Sequence, residues 1–136
     1  VAELSLADTV RFTGRIADHE FTRYYAETTM AVIPSLYEGF GMPAGEAMAC
    51  GVPCAVTDVG DSAEIVGETG RVVEAGDMCG LAKHIVALLR LSPEAKSALG
   101  REARARVKTF YEIGHVAKLY ESFYERLVAM KSKGNA

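Results

Sequence analysis

Two glutamates, Glu38 and Glu46, stand with seven residues between them in the stretch "SLYEGFGMPAGEAMACGVPC", residues 35–54. Carboxylates near one another can share acid and base duties, or each can accept hydrogen bonds from a different part of a ligand. A retaining glycosidase needs its two carboxyl groups about 5 Å apart. Eight helical steps separate residues by ~12 Å of rise, and a bent loop shortens that without favouring contact. The spacing therefore disfavours a paired hydrolase mechanism.

What lies between the glutamates suggests the alternative. Gly39 and Gly41 let backbone N–H groups approach a ligand closely. Pro43 suits the first position of a helix over 43–50, with Gly51 just past its end. A helix N-terminus offers free N–H groups and partial positive charge, which suits a phosphate or diphosphate. A carboxylate on each side would then accept bonds from hydroxyls at the two ends of one ligand. A sugar and a ribose joined through a diphosphate meet that description, which is a nucleotide sugar.

These residues need a scaffold, and the rest of the chain supplies its pattern. Strands are expected at "VRFTG" (10–14), "MAVIPS" (30–35), "CAVTD" (54–58) and "GRVVEAG" (70–76). Between them lie a helix over 19–28 capped by Asp18, the 43–50 helix with Glu46 on its first turn, and a short helical turn at "SAEIV" (62–66). From Asp77 the period becomes helical, with Met78, Leu81, Ala82, Ile85, Leu88 and Leu89 as one apolar stripe. Ser92-Pro93 opens another helix, reaching to about Lys108. A last helix over 113–131 carries Val116, Leu119, Tyr120, Phe123, Tyr124 and Leu127 as a core-facing stripe, and "KSKGNA" ends the chain as a frayed tail. Strands alternating with helices predict an α/β fold with a parallel sheet. Ligands of such a sheet sit beyond the carboxyl ends of the strands, where Leu36–Met42 connects strand to helix.

The composition narrows the classes. The chain has 136 residues, 49% apolar and 24% charged, with a net charge of −3. That is enough for one domain with a core, and nothing basic enough to argue for nucleic acid. No apolar run reaches the ~20 residues of a membrane span. The chain starts in mid-pattern with "VAELSLADTVRF" and carries no signal peptide there, so it reads as an excerpt of a longer chain. Cys50, Cys54 and Cys79 form neither a disulfide framework nor a zinc site, and read as buried reduced thiols in a reducing cytosol. His19, His84 and His115 read as surface or capping residues. Arg101, Arg104, Arg106 and Lys108 read as a solvated helix face; contact with an anionic membrane or acceptor is the alternative.

The stretch "PSLYEGFGMPAGEAMACGVPCAVTDVGDSAEIV" resembles the donor-site motif of the retaining, GT-B-fold group 1 glycosyltransferases. "VRFTGRI", "TGRVVEAGD" and "YESFYERL" extend the resemblance over most of the chain. It implies a Rossmann-like parallel sheet with flanking helices, part of the C-terminal domain. Residues 1–110 would belong to that nucleotide-sugar-binding domain and 111–136 to a C-terminal helix and tail. By resemblance, Glu38 is the catalytic residue that holds the transferred sugar near its reacting carbon. Gly39, Phe40, Gly41 and Met42 offer donors to sugar and diphosphate, with the Phe40 ring packed rather than in contact. Glu46 holds the ribose, Arg15 and Ile16 meet the base, and Gly60 lines the site. No metal and no cofactor are implied, only a nucleotide-diphosphate sugar as donor. Gly45 departs from the family, which often has a larger apolar residue there, and would leave more room beside base or ribose.

The resemblance also implies what this stretch does not contain. The family's N-terminal domain carries the acceptor site, and an Arg/Lys pair that neutralises the leaving diphosphate has no match in this chain. In the family the last helix commonly crosses back towards the N-terminal domain, so the alternative to a core-facing stripe is that part of Tyr120, Phe123 and Tyr124 lacks its natural cover here. The expected function is transfer of a sugar to an acceptor hydroxyl with retention, in polysaccharide or glycolipid synthesis. The expected setting is the cytoplasm, with peripheral contact at the inner membrane face. The alternatives are a non-catalytic nucleotide-sugar binding module or a sugar-nucleotide epimerase of the same architecture. A phosphorylase is disfavoured because no glycine-flanked lysine stands near the motif to hold a pyridoxal group.

Overall fold

The computed structural model describes residues 2–134; Asn135 and Ala136, the end of the expected frayed tail, lie outside them. The elements are α1 (Asp18–Ala26), β1 (Ala31–Ile33), α2 (Met42–Ala49), β2 (Cys54–Asp58), α3 (Ser62–Val66), β3 (Arg71–Glu74), α4 (Met78–Leu89), α5 (Pro93–Phe110) and α6 (Ile113–Gly134). Short 3₁₀ turns occupy Ala2–Leu4 and Gly67–Thr69. The three strands form one parallel sheet in the order β1-β2-β3. Ala31 pairs with Cys54 and Ile33 with Val56; Ala55 pairs with Arg71 and Thr57 with Val73.

The central strand explains the layering. Four of the five residues of β2 are buried, as a strand covered on both faces must be. Its alternate side chains go to opposite layers. Cys54 and Val56 join Ala44, Ala47, Met48, Ile65, Val66 and Ala103, which brings α2, α3 and α5 onto one face. Ala55 joins Val73, Leu81 and Leu88, which brings α4 onto the other. Burial pushes the Cys54 thiol up to about 12, so this cysteine is an inert member of the core. The expectation of three buried thiols holds for Cys54 alone: Cys50 is half-buried, and Cys79, on the outer side of α4, is exposed.

Capping chemistry sets several boundaries. Asp77 accepts the Gly80 N–H at 2.8 Å to open α4, and Ser92 accepts the Ala95 N–H at 3.2 Å to open α5. Asp18 is not the cap of α1; it lies in the first turn, and Ala17 precedes the helix without a side-chain cap.

Four further expectations need correction. Residues 10–14 form no strand: Phe12 is 81% exposed, and the segment lies outside the sheet. The apolar stripe of α4 is narrower than its composition: Leu81, Ile85 and Leu88 face the core, while Met78, Ala82 and Leu89 are exposed. The stripe of α6 does not face the core either. Leu119, Tyr120, Phe123, Tyr124 and Leu127 are 46–59% exposed. Arg106 departs from its solvated face as well. Its guanidinium donates to the carbonyls of Ile65 (2.9 Å) and Glu64 (2.6 Å) and lies over the Phe110 ring at 5.2 Å. It thereby serves carbonyls at the C-terminal end of α3, where a cation is favoured.

The contact of α2 with α5 depends on two glycines. A β-carbon added to Gly100 would collide with the Gly51 carbonyl oxygen, so α5 rides directly on the turn that ends α2. Gly100→Ala is expected to cost about 1–3 kcal/mol, because backbone on both sides must give way. Gly45→Ala, where an added β-carbon meets nothing within 4 Å, is expected to leave stability unchanged or raise it by about 0.5–1 kcal/mol. Urea denaturation of the two variants checks the contrast; equal stabilities would sink the packing argument.

Candidate functional site

The strand β1 ends at Ile33, and the chain then crosses the carboxyl edge of the sheet to reach α2. Thr57, buried in β2, fixes the start of that crossing by donating its hydroxyl to the Ser35 carbonyl at 2.6 Å. Glu38 follows, half-buried, with one carboxylate oxygen accepting the Ser35 hydroxyl at 3.4 Å. Gly39 is exposed. The Phe40 ring stands edge-on to Tyr111, 6.0 Å between centroids and 75° between planes, and remains about half exposed. One edge of the ring is thus packed against Tyr111.

Gly41 closes the crossing. Its φ of +89° lies in the left-handed region, which glycine alone enters freely. An added β-carbon would also stand 2.8 Å from Ser62 Oγ and 3.4 Å from Ile65 Cδ1. Gly41 is the N-cap of α2 without offering a side chain, and its carbonyl accepts the N–H groups of Ala44 (3.1 Å) and Gly45 (3.3 Å). Among the described residues, the N–H groups of Gly39, Phe40, Gly41 and Met42 meet no acceptor. Met42 itself is exposed. Four consecutive donors beside a positive helix end make a concavity suited to an anion.

The turn after β2 presses on this loop from one side. Gly60, with φ of +53°, lies so close to the carbonyls of Glu38 and Gly39 that an added β-carbon would collide with both. The Asp61 N–H donates to the Gly39 carbonyl at 3.3 Å.

Glu46 lies on the other flank, on the second turn of α2 rather than the first, because the helix begins at Met42. It is exposed and lines a cavity of about 450 Å³ with Asp18, Phe21, Thr22, Tyr25, Ala49 and Cys50. The Tyr25 hydroxyl donates to the Pro43 carbonyl at 3.5 Å. Burial first, and then the negative charge of Glu46, hold its pKa above the usual range, so Tyr25 stays a protonated donor beside that carboxylate. The Phe21 and Tyr25 rings stack at 6.4 Å. Glu38 does not line this cavity, so the two glutamates do not share it.

Arg15 and Ile16 sit on the segment before α1, Arg15 exposed and Ile16 half-buried; neither lines the Glu46 cavity. Phe21 and Tyr25 were missed by sequence reasoning. The helical period of α1 could have placed them on one face, four residues apart, but not against Glu46. Ser62 was missed as well; a serine opening a short helix reads as an ordinary helix start.

Comparison with known proteins decides the family. Residues 1–91 match the family described as "Glycosyl transferases group 1". The chain belongs to that family. It is 36% identical over 132 residues to the MMP alpha-(1->4)-mannosyltransferase of Mycolicibacterium hassiacum, covering 95% of this chain and 32% of that protein. It is 32% identical over 132 residues to the lipopolysaccharide core biosynthesis mannosyltransferase of Rhizobium meliloti, covering 94% of this chain and 37% of that protein. In structure it superposes on sucrose-phosphate synthase from Thermosynechococcus elongatus with a TM-score of 0.83 and 34% identity, over 95% of this chain and 33% of that one. The fold is therefore the Rossmann-like, GT-B-type arrangement expected of the family. The chain spans about a third of the length of these relatives.

The contact of Gly60 with the glycine loop yields a direct test. Gly60→Ala is expected to destabilise the fold by about 1–3 kcal/mol, because a side chain there is strained and collides with backbone. Backbone amide shifts should move at 38–42 and leave α4 unaffected. Unperturbed resonances over 38–42 would show that the two loops are not coupled.

Proposed function

We propose that this chain is the donor-binding part of a retaining glycosyltransferase that moves a sugar from a nucleoside-diphosphate sugar to an acceptor hydroxyl. One observation carries the reading: four backbone donors without acceptors at the start of α2 lie in the chain between two carboxylates, of which Glu46 alone lines the Tyr25 cavity. The diphosphate is assigned to the N–H groups of Gly39, Phe40, Gly41 and Met42. Glu38, oriented by Ser35, is assigned to the transferred sugar as the catalytic carboxylate. Glu46 is assigned to the ribose hydroxyls, with Tyr25 lining the same cavity. Arg15 and Ile16 are assigned to the base. Open space beside Gly45 widens the approach to that end of the ligand.

In the proposed step the bond between the sugar's anomeric carbon and the diphosphate oxygen breaks. A new bond forms to the acceptor oxygen on the same face. The acceptor proton passes to the departing diphosphate oxygen, and Glu38 favours the positive charge that develops on the sugar. No cofactor or metal takes part in this proposal.

The rest of the activity is assigned to sequence outside this chain. An N-terminal domain of the same polypeptide would bring the acceptor and cover the apolar stripe of α6, with residues 1–110 as the donor domain and 111–136 as the connecting helix. The named activity of the Rhizobium meliloti relative supports a sugar or lipid-linked acceptor in polysaccharide or glycolipid synthesis. Among the described residues no helix is long and apolar enough to cross a membrane. A cytoplasmic enzyme with peripheral membrane contact fits that pathway. This chain alone is expected to bind donor weakly and to transfer nothing, since it lacks the Arg/Lys pair that would neutralise the leaving group.

Calorimetric titration of the full polypeptide with UDP-, GDP- and ADP-sugars tests the assignments. Glu46→Ala is expected to weaken the preferred donor about 10-fold or more, as loss of hydrogen bonds to a charged group does. Glu38→Gln is expected to lower transfer about 100-fold or more. Unchanged donor affinity in the first variant would remove Glu46 from the site, and an inverted product anomer by NMR would remove the retaining mechanism.

A further inference from the structure

One cation of α5 turns its donors inward. Arg106 is half-buried, and among the described residues no carboxylate forms an ion pair with it. Its Nε donates to the Ile65 carbonyl at 2.9 Å and its Nη2 to the Glu64 carbonyl at 2.6 Å. Both acceptors lie more than forty residues earlier, in the last turn of α3. Gly67, just beyond that turn, has a φ of +52°, and an added β-carbon would stand 2.7 Å from Arg106 Cζ. A residue without a side chain thus leaves the space that the guanidinium fills. The planar fork of an arginine meets two carbonyls at once; the ammonium of a lysine is a point charge and does not.

Two paths lead from this guanidinium to the glycine loop. The first runs through α3. Ile65, whose carbonyl Arg106 holds, donates its N–H to the Asp61 carbonyl at 2.9 Å, and the Asp61 N–H donates to the Gly39 carbonyl at 3.3 Å. The Ile65 side chain also reaches residue 41, where a β-carbon would lie 3.4 Å from Ile65 Cδ1. With only five residues, close-packed on the core, α3 passes a displacement at one end to the other. The second path runs through aromatic rings. The guanidinium lies over the Phe110 ring at 5.2 Å. The Phe110 and Tyr111 rings stand 6.4 Å apart with 65° between planes, and Tyr111 meets Phe40 edge-on at 6.0 Å. Both paths end within residues 39–41, whose N–H groups are assigned to the diphosphate.

We propose that Arg106 is a positioning residue of the donor site. It holds the end of α3 and the ring of Phe110, and through them it fixes the backbone of residues 39–41. This role rests on the diphosphate assignment above and adds the residue that keeps those donors converged. The guanidinium itself touches no part of the ligand. Hydrogen bonds weaken steeply as a donor tilts away from its acceptor, so a small rotation of consecutive N–H groups is enough to lower anion affinity.

Three variants of the full polypeptide test this. Arg106→Ala removes the guanidinium. Arg106→Lys keeps the charge and most of the stem, so the test stands even where Arg106→Ala does not fold. Arg104→Ala removes an equal charge from an exposed position of the same helix. Inorganic pyrophosphate, titrated calorimetrically, probes the loop donors, and backbone amide shifts over 38–42 report the loop without ligand. Both Arg106 variants are expected to move those shifts and to bind pyrophosphate about 10-fold more weakly, the equivalent of one hydrogen bond to a charged acceptor. Arg104→Ala is expected to change neither. A lower melting temperature in the Arg106 variants, with shifts over 38–42 and pyrophosphate affinity unchanged, would overturn the proposal in favour of a purely structural arginine. An equal loss of affinity in Arg104→Ala would overturn it in favour of a general charge effect. Failure of the unsubstituted protein to bind pyrophosphate would overturn the diphosphate assignment and this proposal with it.

Discussion

No side chain fits between Gly60 and the carbonyls of Glu38 and Gly39, and the candidate site depends on that contact. It fastens the crossing from β1 to α2 against the turn that follows β2. Thr57 secures the same crossing at its start through the Ser35 carbonyl. Between these two anchors the chain must pass from strand to helix in a few residues, and Gly41 does so through a left-handed backbone. The result is a loop whose carbonyls are turned to protein and whose N–H groups are left over. A surface of donors without acceptors is what an anion requires, and here it follows from backbone geometry, with no lysine or arginine involved.

The separation of the two carboxylates has the same origin. Glu38 precedes the left-handed turn and is held on the α3 side by its neighbours. Glu46 follows it by more than one helical turn and faces α1. The helix start, with its partial positive charge, lies between them in the chain, so the two carboxylates flank it from opposite directions.

How far the sequence alone reached can be traced through single residues. The start of α2 was readable because Gly-x-Pro is local chemistry: a positive φ, then a proline that suits the first turn. The Ser92-Pro93 start of α5 was readable for the same reason, the change of period at Asp77 marked α4, and "CAVTD" was readable as a strand. Residues 10–14 had strand composition, yet a strand exists only where a neighbouring edge pairs with it, and here none does. Arg106 looked like one of four surface cations because nothing local points to the carbonyls of Glu64 and Ile65, more than forty residues earlier. Tyr25 beside Glu46 and Ser62 behind Gly41 are likewise contacts between distant segments. Periodicity reports which face of an element is apolar; it does not report what meets that face. The stripe of α6 is the plainest case, since its pattern is intact and its cover is absent among the described residues.

That stripe also sets how α6 responds to heat. Helix α2 is bound into the core through Ala44, Ala47 and Met48, and loses its shape only when the core does. A helix of 22 residues whose apolar side meets no cover among the described residues has, in this stretch by itself, little beyond its own backbone hydrogen bonds to hold it. Each added turn gains little over the coil, so its helicity declines gradually, from the ends inward, across a wide temperature range. The chain thus joins a body that melts as one cooperative unit to an arm governed by the helix–coil balance, and two thermal regimes coexist in one short polypeptide.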